Sequence, residues 1–284
     1  MTETSLKTRV IPVLLLRDGA LVRSRQFKMF QITGDPYLQV ERFSEWNVDE
    51  LIYLDISRSG IFDIGSTGST VIGASSGNKK YYEKKPQDMY EFVEYLSKKC
   101  FMPLAFGGGI KSIEQVNRLL QSGADKVVLN THAFKNPELV RESAEAFGSQ
   151  CIIVSMDCKK TALGYEVFID GGKVSTGVSA LEWAKRAEDL GAGELLVNSI
   201  DRDGMSSGFD FDLYRPIIAE TRIPVIICGG VGRIEHFDDA YQALKPHALA
   251  AANIFHFIEQ SYLVIKDHLI KSGVNVRRTG RNLS

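Results

Sequence analysis

The sequence has little that would take it outside ordinary globular chemistry. No charge of one sign is in excess. Lys+Arg number 34 and Asp+Glu 35, for a net charge of −1, which argues against a broad nucleic-acid surface while leaving room for a local basic patch. No apolar run approaches the roughly 20 residues that span a membrane. The first residues, MTETSLKTRV, lack the apolar core of a signal peptide. Cysteines are few, and Cys100, Cys151, Cys158 and Cys228 form no CxxC pair, so neither a zinc site nor a redox motif is suggested. Reduced thiols in a cytoplasmic protein are the simplest expectation. The five histidines, His132, His236, His247, His256 and His268, show no ligand spacing such as HExxH. No metal or cofactor is expected.

What is present is a repeating unit. Short apolar runs alternate with helical patterns. Strands are expected at Arg9–Leu16, Glu50–Ile56, Met102–Phe106, Asp125–Asn130, Cys151–Asp157, Glu194–Ile200, Ile223–Cys228 and His247–Asn253. Helices are expected from Asp35-Pro36 to Trp46, and over Ile113–Ser122, Glu138–Phe147, Leu181–Leu190, Phe211–Glu220 and His236–Leu244. Apolar strands separated by amphipathic helices imply a parallel sheet covered by helices. Eight such units in 284 residues favour one closed (βα)8 TIM barrel over the whole chain, residues 1–284. The halves echo each other: PLAFGGGIKSIE parallels PVIICGGVGRIE, and VVLNTHAF loosely parallels LAAANIFHF. That self-similarity suggests a duplicated half-barrel with two related ligand-gripping corners. Two segments interrupt the pattern. Residues 57–85, rich in Gly, Ser, Thr and Lys, read as a long inserted loop after the second strand. Residues 159–174 contain Asp170-Gly171-Gly172 and read as a β-hairpin in the fifth loop.

Chemistry in such barrels sits where strands end in loops. The stretch Gly193–Asp210 shows this design: the apolar Leu195-Leu196-Val197 breaks into a polar loop containing Asp203 and Gly204. Gly107-Gly108-Gly109 and Gly229-Gly230 each precede a helix and offer free amides to a phosphate, although tight βα turns use glycine for geometry alone. Asn130-Thr131 would lie beside the first of these sites and Asn253 beside the second. Asp157 closes the fifth strand and is placed to act as a general acid or base. At the opposite end Arg9, Glu50, Lys126 and Glu194 begin the first, second, fourth and sixth strands. Their alternating signs suit a salt-bridged ring as well as ordinary solvated strand ends.

Together these motifs resemble the HisF family, the cyclase subunit of imidazole glycerol phosphate synthase. The carrying residues are RVIP, GDP at Gly34–Pro36, DELIYLDI, GGGIKS, GADKVVLNT, FGSQCIIVSMD, GAGELLVNSIDRDG and AANIFHF. The resemblance implies a barrel that receives ammonia from a HisH-like glutaminase at its amino-terminal face and joins it to a doubly phosphorylated substrate. It implies that Gly109, Asn130, Thr131, Asp203, Gly204, Gly230 and Asn253 hold phosphates and that Asp157 is one of two catalytic aspartates. It makes Arg9, Glu50, Lys126 and Glu194 an ammonia gate and turns Asp125 toward the glutaminase. The chain departs from the family where Leu15 replaces the other catalytic aspartate, Arg23 a lysine and Asn198 a threonine. An intact gate with a broken acid/base pair resembles paralogues of bacterial surface-polysaccharide synthesis, which work with a glutaminase and a sugar amidotransferase to amidinate an acetamido sugar. The expectation is that reaction. The alternatives are a genuine cyclase of histidine biosynthesis and a non-catalytic scaffold for the glutaminase.

Overall fold

The computed structural model describes residues 6–57, 86, 88–257 and 260–279. The inserted loop expected over 57–85 therefore lies, apart from Ser57, outside the described residues. The strands are β1 (Arg9–Arg17), β2 (Ala20–Arg25), β3 (Met29–Gly34), β4 (Leu51–Asp55), β5 (Leu104–Gly107), β6 (Lys126–Leu129), β7 (Ile152–Thr161), β8 (Gly164–Ile169), β9 (Val174–Ser179), β10 (Glu194–Ser199), β11 (Val225–Cys228) and β12 (Ala248–Ala251). Eight of them pair in parallel in the order β10-β11-β12-β1-β4-β5-β6-β7, and β7 pairs back onto β10. The sheet closes on itself as a (βα)8 barrel.

The side-chain period of two sorts each strand into an inner and an outer face. On β1, Ile11 and Val13 join Ile52, Ala105, Val128, Ile153, Leu196, Ile226 and Ala250 inside the barrel, with Leu15 packed against them. The alternate residues Val10, Leu14 and Leu16 enter the larger core between sheet and helices. The interior is thus largely apolar in its middle, with the buried Ser155 of β7 as a polar exception, and the same alternation carries Arg9 inward at one end and Leu15 at the other. The third and seventh expected strands start two residues late, at Leu104 and Val225. In each case a proline precedes the strand and cannot donate a ladder hydrogen bond.

Two antiparallel additions stand on the carboxyl-terminal side. β1 turns through Asp18 and Gly19, both at positive φ, into the β2–β3 hairpin. Asp-Gly is the pairing that a two-residue hairpin loop favours. β7 runs on past Asp157 and folds back through β8 and β9 as a ribbon, with Asp170, Gly171 and Gly172 in the β8–β9 turn. Helices not expected from the sequence occupy Met89–Ser97, Thr131–Lys135, Ile254–Phe257 and Ser261–Lys271.

The chain after the last helix returns to the amino-terminal face, where Thr8 bridges Val276. Asp49 ties this corner together. Its carboxylate accepts from Lys266 Nζ at 2.7 Å, Arg277 Nε at 2.9 Å and the Val10 amide at 2.9 Å, and its own amide donates to the Tyr262 hydroxyl at 2.8 Å. The Lys266 and Asp49 side chains are 1% and 4% exposed. Removing one member of a buried pair leaves the other charge uncompensated. Asp49→Ala is expected to cost roughly 3–5 kcal/mol in denaturant unfolding, and a loss below 1 kcal/mol would contradict this assignment.

Candidate active site

The amino-terminal ring is closed. Arg9 reaches Glu50 Oε2 and Glu194 Oε2, each at 2.5 Å. Lys126 Nζ reaches Glu50 Oε1 at 2.9 Å and Glu194 Oε1 at 2.5 Å. Each cation touches both anions, so the four charges cancel within one layer. Glu50 and Glu194 are buried, whereas Arg9 and Lys126 are partly open to the mouth. Burial works against both Arg9 and Glu194, but the ring outweighs it, holding the Arg9 pKa above and the Glu194 pKa below their ordinary values. Asp125 stands exposed beside Lys126 and accepts from the Leu104 amide at 2.8 Å. All five residues share the face where the strands begin.

Asp157 lies at the other end. It is only 8% exposed. Its Oδ2 accepts from Asn130 Nδ2 at 2.9 Å and its Oδ1 from Asn198 Nδ2 at 3.4 Å. Strand register makes this arrangement: Asn198 is the direct partner of Asp157 on β10, and Asn130 follows the end of β6 on the other side. Burial pushes the Asp157 carboxyl up to about 6, although the two amides oppose the shift. A carboxyl near 6 can both release and take up a proton close to neutral pH. β1 lies four strands from β7 in either direction around the ring. Leu15 and Asp157 therefore face each other across the mouth, and Leu15 can neither donate nor accept a proton.

The expected phosphate residues fall into two groups. Gly109, at φ +66, follows β5. Asn130 is drawn to Asp157 rather than to the glycine loop, and the Thr131 hydroxyl accepts the Asp170 amide at 3.0 Å. Gly204 and Asn253 of the second group line a cleft of about 460 Å³ together with Arg23, Arg25, Phe30 and Gly232. Gly204 and Gly230 must lack a side chain. A Cβ would lie 2.3 Å from the Ser24 carbonyl oxygen at the first and 2.1 Å from that of Gly208 at the second. The Asp203 carboxylate accepts from the Ser24 hydroxyl at 2.6 Å and the Phe27 amide at 3.3 Å, so it holds the β2–β3 hairpin. The Asp203 amide donates to the Ser199 carbonyl at 3.0 Å, so what this turn can offer a phosphate is the neighbouring Gly204 backbone. Asn253 Nδ2 donates to the Ser24 carbonyl at 2.9 Å. Arg25 and Phe30 are among the cleft residues not expected from the sequence, because they sit on a hairpin whose second strand is largely exposed and carries no apolar alternation.

Fold and site together define a (βα)8 barrel with a neutralised charged ring at one mouth and a buried carboxyl, Asp157, at the carboxyl end of a barrel strand at the other. Residues 82–261 match the family described as histidine biosynthesis protein. The chain is 40% identical over 272 residues to the imidazole glycerol phosphate synthase subunit HisF of Natranaerobius thermophilus, covering 96% of this chain and 99% of that one. The chain belongs to this family and is a HisF-type barrel. Among the described residues no helix is long and apolar enough to cross a membrane.

Proposed function

We propose that this chain is the ammonia-using subunit of a glutamine-dependent synthase. A HisH-like glutaminase docks on the amino-terminal face around Asp125. Ammonia enters past Arg9, Glu50, Lys126 and Glu194, crosses the apolar interior and reaches an acceptor at Asp157. The observation that carries this reading is the closed, charge-neutral ring at the mouth opposite the buried acid. A hydrated cation is disfavoured in the apolar layers above such a ring, whereas neutral ammonia is small and carries no charge to desolvate.

For the acceptor, kinship favours the substrate of the cyclase. A relative 40% identical over nearly both full lengths carries the name imidazole glycerol phosphate synthase subunit HisF. On that reading the reaction is of the carbon–nitrogen lyase type in histidine biosynthesis. One phosphate of the substrate rests on Gly109 with Asn130 and Thr131, and the other on Asp203, Gly204, Gly230 and Asn253. Asp157 then carries both proton transfers in turn. A second reading is favoured by Leu15 alone. With the facing carboxyl gone, ammonia delivery would outlast ring closure, and the acceptor would be an acetamido sugar held by a separate sugar amidotransferase. That reaction, and a role in surface polysaccharide, rest on this one position.

The test is reconstitution with a HisH-type glutaminase. Glutamine-driven turnover of the cyclase substrate is the result expected from the first reading. Stimulated glutaminase with ammonia transfer only when a third protein is added is expected from the second. A barrel that neither binds nor stimulates any glutaminase contradicts both.

A further inference from the structure

We infer that Asn198 and Asp157 together form a subsite that holds the arriving ammonia, an inference that rests on the ammonia reading above. Asn198 is the last inward-facing residue of β10, two positions beyond Leu196 of the apolar interior. Its Nδ2 donates to Asp157 Oδ1 at 3.4 Å. That contact settles which way the amide points, because an ionised carboxylate only accepts and the nitrogen must face it. The other end of the amide, Oδ1, is buried and has no hydrogen-bond partner among the described residues. A buried carbonyl without a donor is costly and asks for an explanation.

Its surroundings say which donor suits it. Gly229, at φ +107, lies alongside, and a Cβ there would stand 3.0 Å from Asn198 Oδ1. The glycine keeps a side chain off the amide oxygen on the side of the β11 loop, where the oxygen is otherwise enclosed. Asp157 retains acceptor capacity, since each of its oxygens receives one amide and a carboxylate oxygen has two lone-pair sites. Below lie the apolar Ile11, Ile52, Val128, Ile153 and Leu196, with the buried Ser155 hydroxyl beneath Asp157. A ligand arriving from that side must be small and neutral and must bring N–H or O–H donors. Ammonia has three N–H donors and one lone pair. One N–H to Asn198 Oδ1 and one to Asp157 orient the molecule and leave the lone pair free to face an acceptor above. Asn198 is therefore a positioning residue: it fixes the nucleophile and contributes no proton transfer of its own.

The test uses the full chain with isotope-labelled Asn and Asp side chains. Ammonium chloride is titrated at alkaline pH, with potassium chloride at matched ionic strength as the control. The Asn198 amide carbon and the Asp157 carboxyl carbon are expected to shift saturably with ammonium and not with potassium. Asn198→Leu, which removes the oxygen, is expected to abolish the Asp157 response. In ammonium-driven turnover it should raise half-saturating ammonium by roughly 3–10-fold, the range for one lost hydrogen bond, with half-saturation by the acceptor unchanged. Asn198→Thr keeps an acceptor oxygen and should retain a weaker response, which separates loss of the subsite from loss of the fold. Normal glutamine-driven turnover with no ammonium response at Asn198 would overturn the subsite and leave the synthase reading standing. An ammonium response in a protein that engages no glutaminase would retain the subsite and remove the synthase reading.

Discussion

Asp157→Asn is expected to slow ammonia-dependent turnover by about 10²–10⁴-fold, the range associated with one proton-transfer group. In this site the loss should fall toward the upper end, because Leu15 across the mouth offers no substitute. The unmodified protein should show a rate that rises with pH through about 6, as the Asp157 carboxyl ionises, and that limb should vanish in the variant. Stability should move the other way. Burial raises this carboxyl from 3.8 to about 6, so the folded state binds the proton more tightly than the unfolded chain. The contribution is fully present below the unfolded value and is lost as pH rises through about 6, leaving the ionised form a cost of roughly 2–3 kcal/mol at neutral pH. Asparagine removes that cost but gives Asn130 and Asn198 a poorer partner. A net gain of about 1–2 kcal/mol is therefore expected in unfolding at pH 7. Unchanged turnover would remove Asp157 from the chemistry.

Leu15→Asp is expected to raise the cyclase reaction by about 10²–10⁴-fold when ammonium is supplied directly. Leu15 faces inward with Leu54 and Ala252 near the carboxyl end of the barrel. A carboxyl placed there faces Asp157 across a low-dielectric mouth. Two such groups do not both ionise readily, so one pKa rises and one proton is retained. That arrangement supplies an acid and a base at once. The substitution should also cost stability, about 1–3 kcal/mol for a polar group in a partly apolar position. A gain in turnover would show that the remaining site still accommodates the cyclase substrate. No gain, with the fold intact by circular dichroism, would favour the sugar acceptor.

Much of the barrel is legible in the sequence because its inner strands are short, apolar and bounded by glycine or proline. Leu104–Gly107 before Gly108-Gly109, and Val225–Cys228 before Gly229-Gly230, each announce a buried strand followed by a tight turn. The charged ring is legible from the strand alternation: a charged residue two places before an inward-facing apolar residue shares its face, as Arg9 does with Ile11 and Glu50 with Ile52. Asp18-Gly19 marks the turn from β1 into β2, the first strand of the β2–β3 hairpin. Its outer strand is largely exposed, however, so it lacks the apolar alternation that marks a packed strand. The helix Met89–Ser97 was missed although Asp88 caps it through the Tyr90 and Glu91 amides. The polar, lysine-rich stretch before it has the composition of a loop and hides the helix start.

What the sequence could not disclose is lateral. Asn130 and Asn198 converge on Asp157 from strands on either side, 27 and 41 residues away. Nothing local to any of the three announces the register. Asp203 illustrates the converse. Its position beside Gly204 suggests a ligand, yet its carboxylate is occupied by Ser24 and Phe27 of a hairpin about 180 residues earlier in the chain. Side-chain partners of that kind follow from tertiary closure and not from spacing.

On the proposed reading, ammonia crosses the barrel from the charged ring to Asp157. The most direct measurement is the ratio of glutamine-driven to ammonium-driven turnover in the reconstituted complex, with Arg9→Ala compared to the unmodified chain. Arg9 bridges Glu50 and Glu194. Without it the mouth opens to water, and ammonia made by the glutaminase escapes before crossing. A lower ratio, a larger fraction of ammonia released to solvent and a persisting ammonium-driven rate are the expected results. An unchanged ratio with the complex intact would mean that ammonia reaches Asp157 by another route, which contradicts passage through the ring.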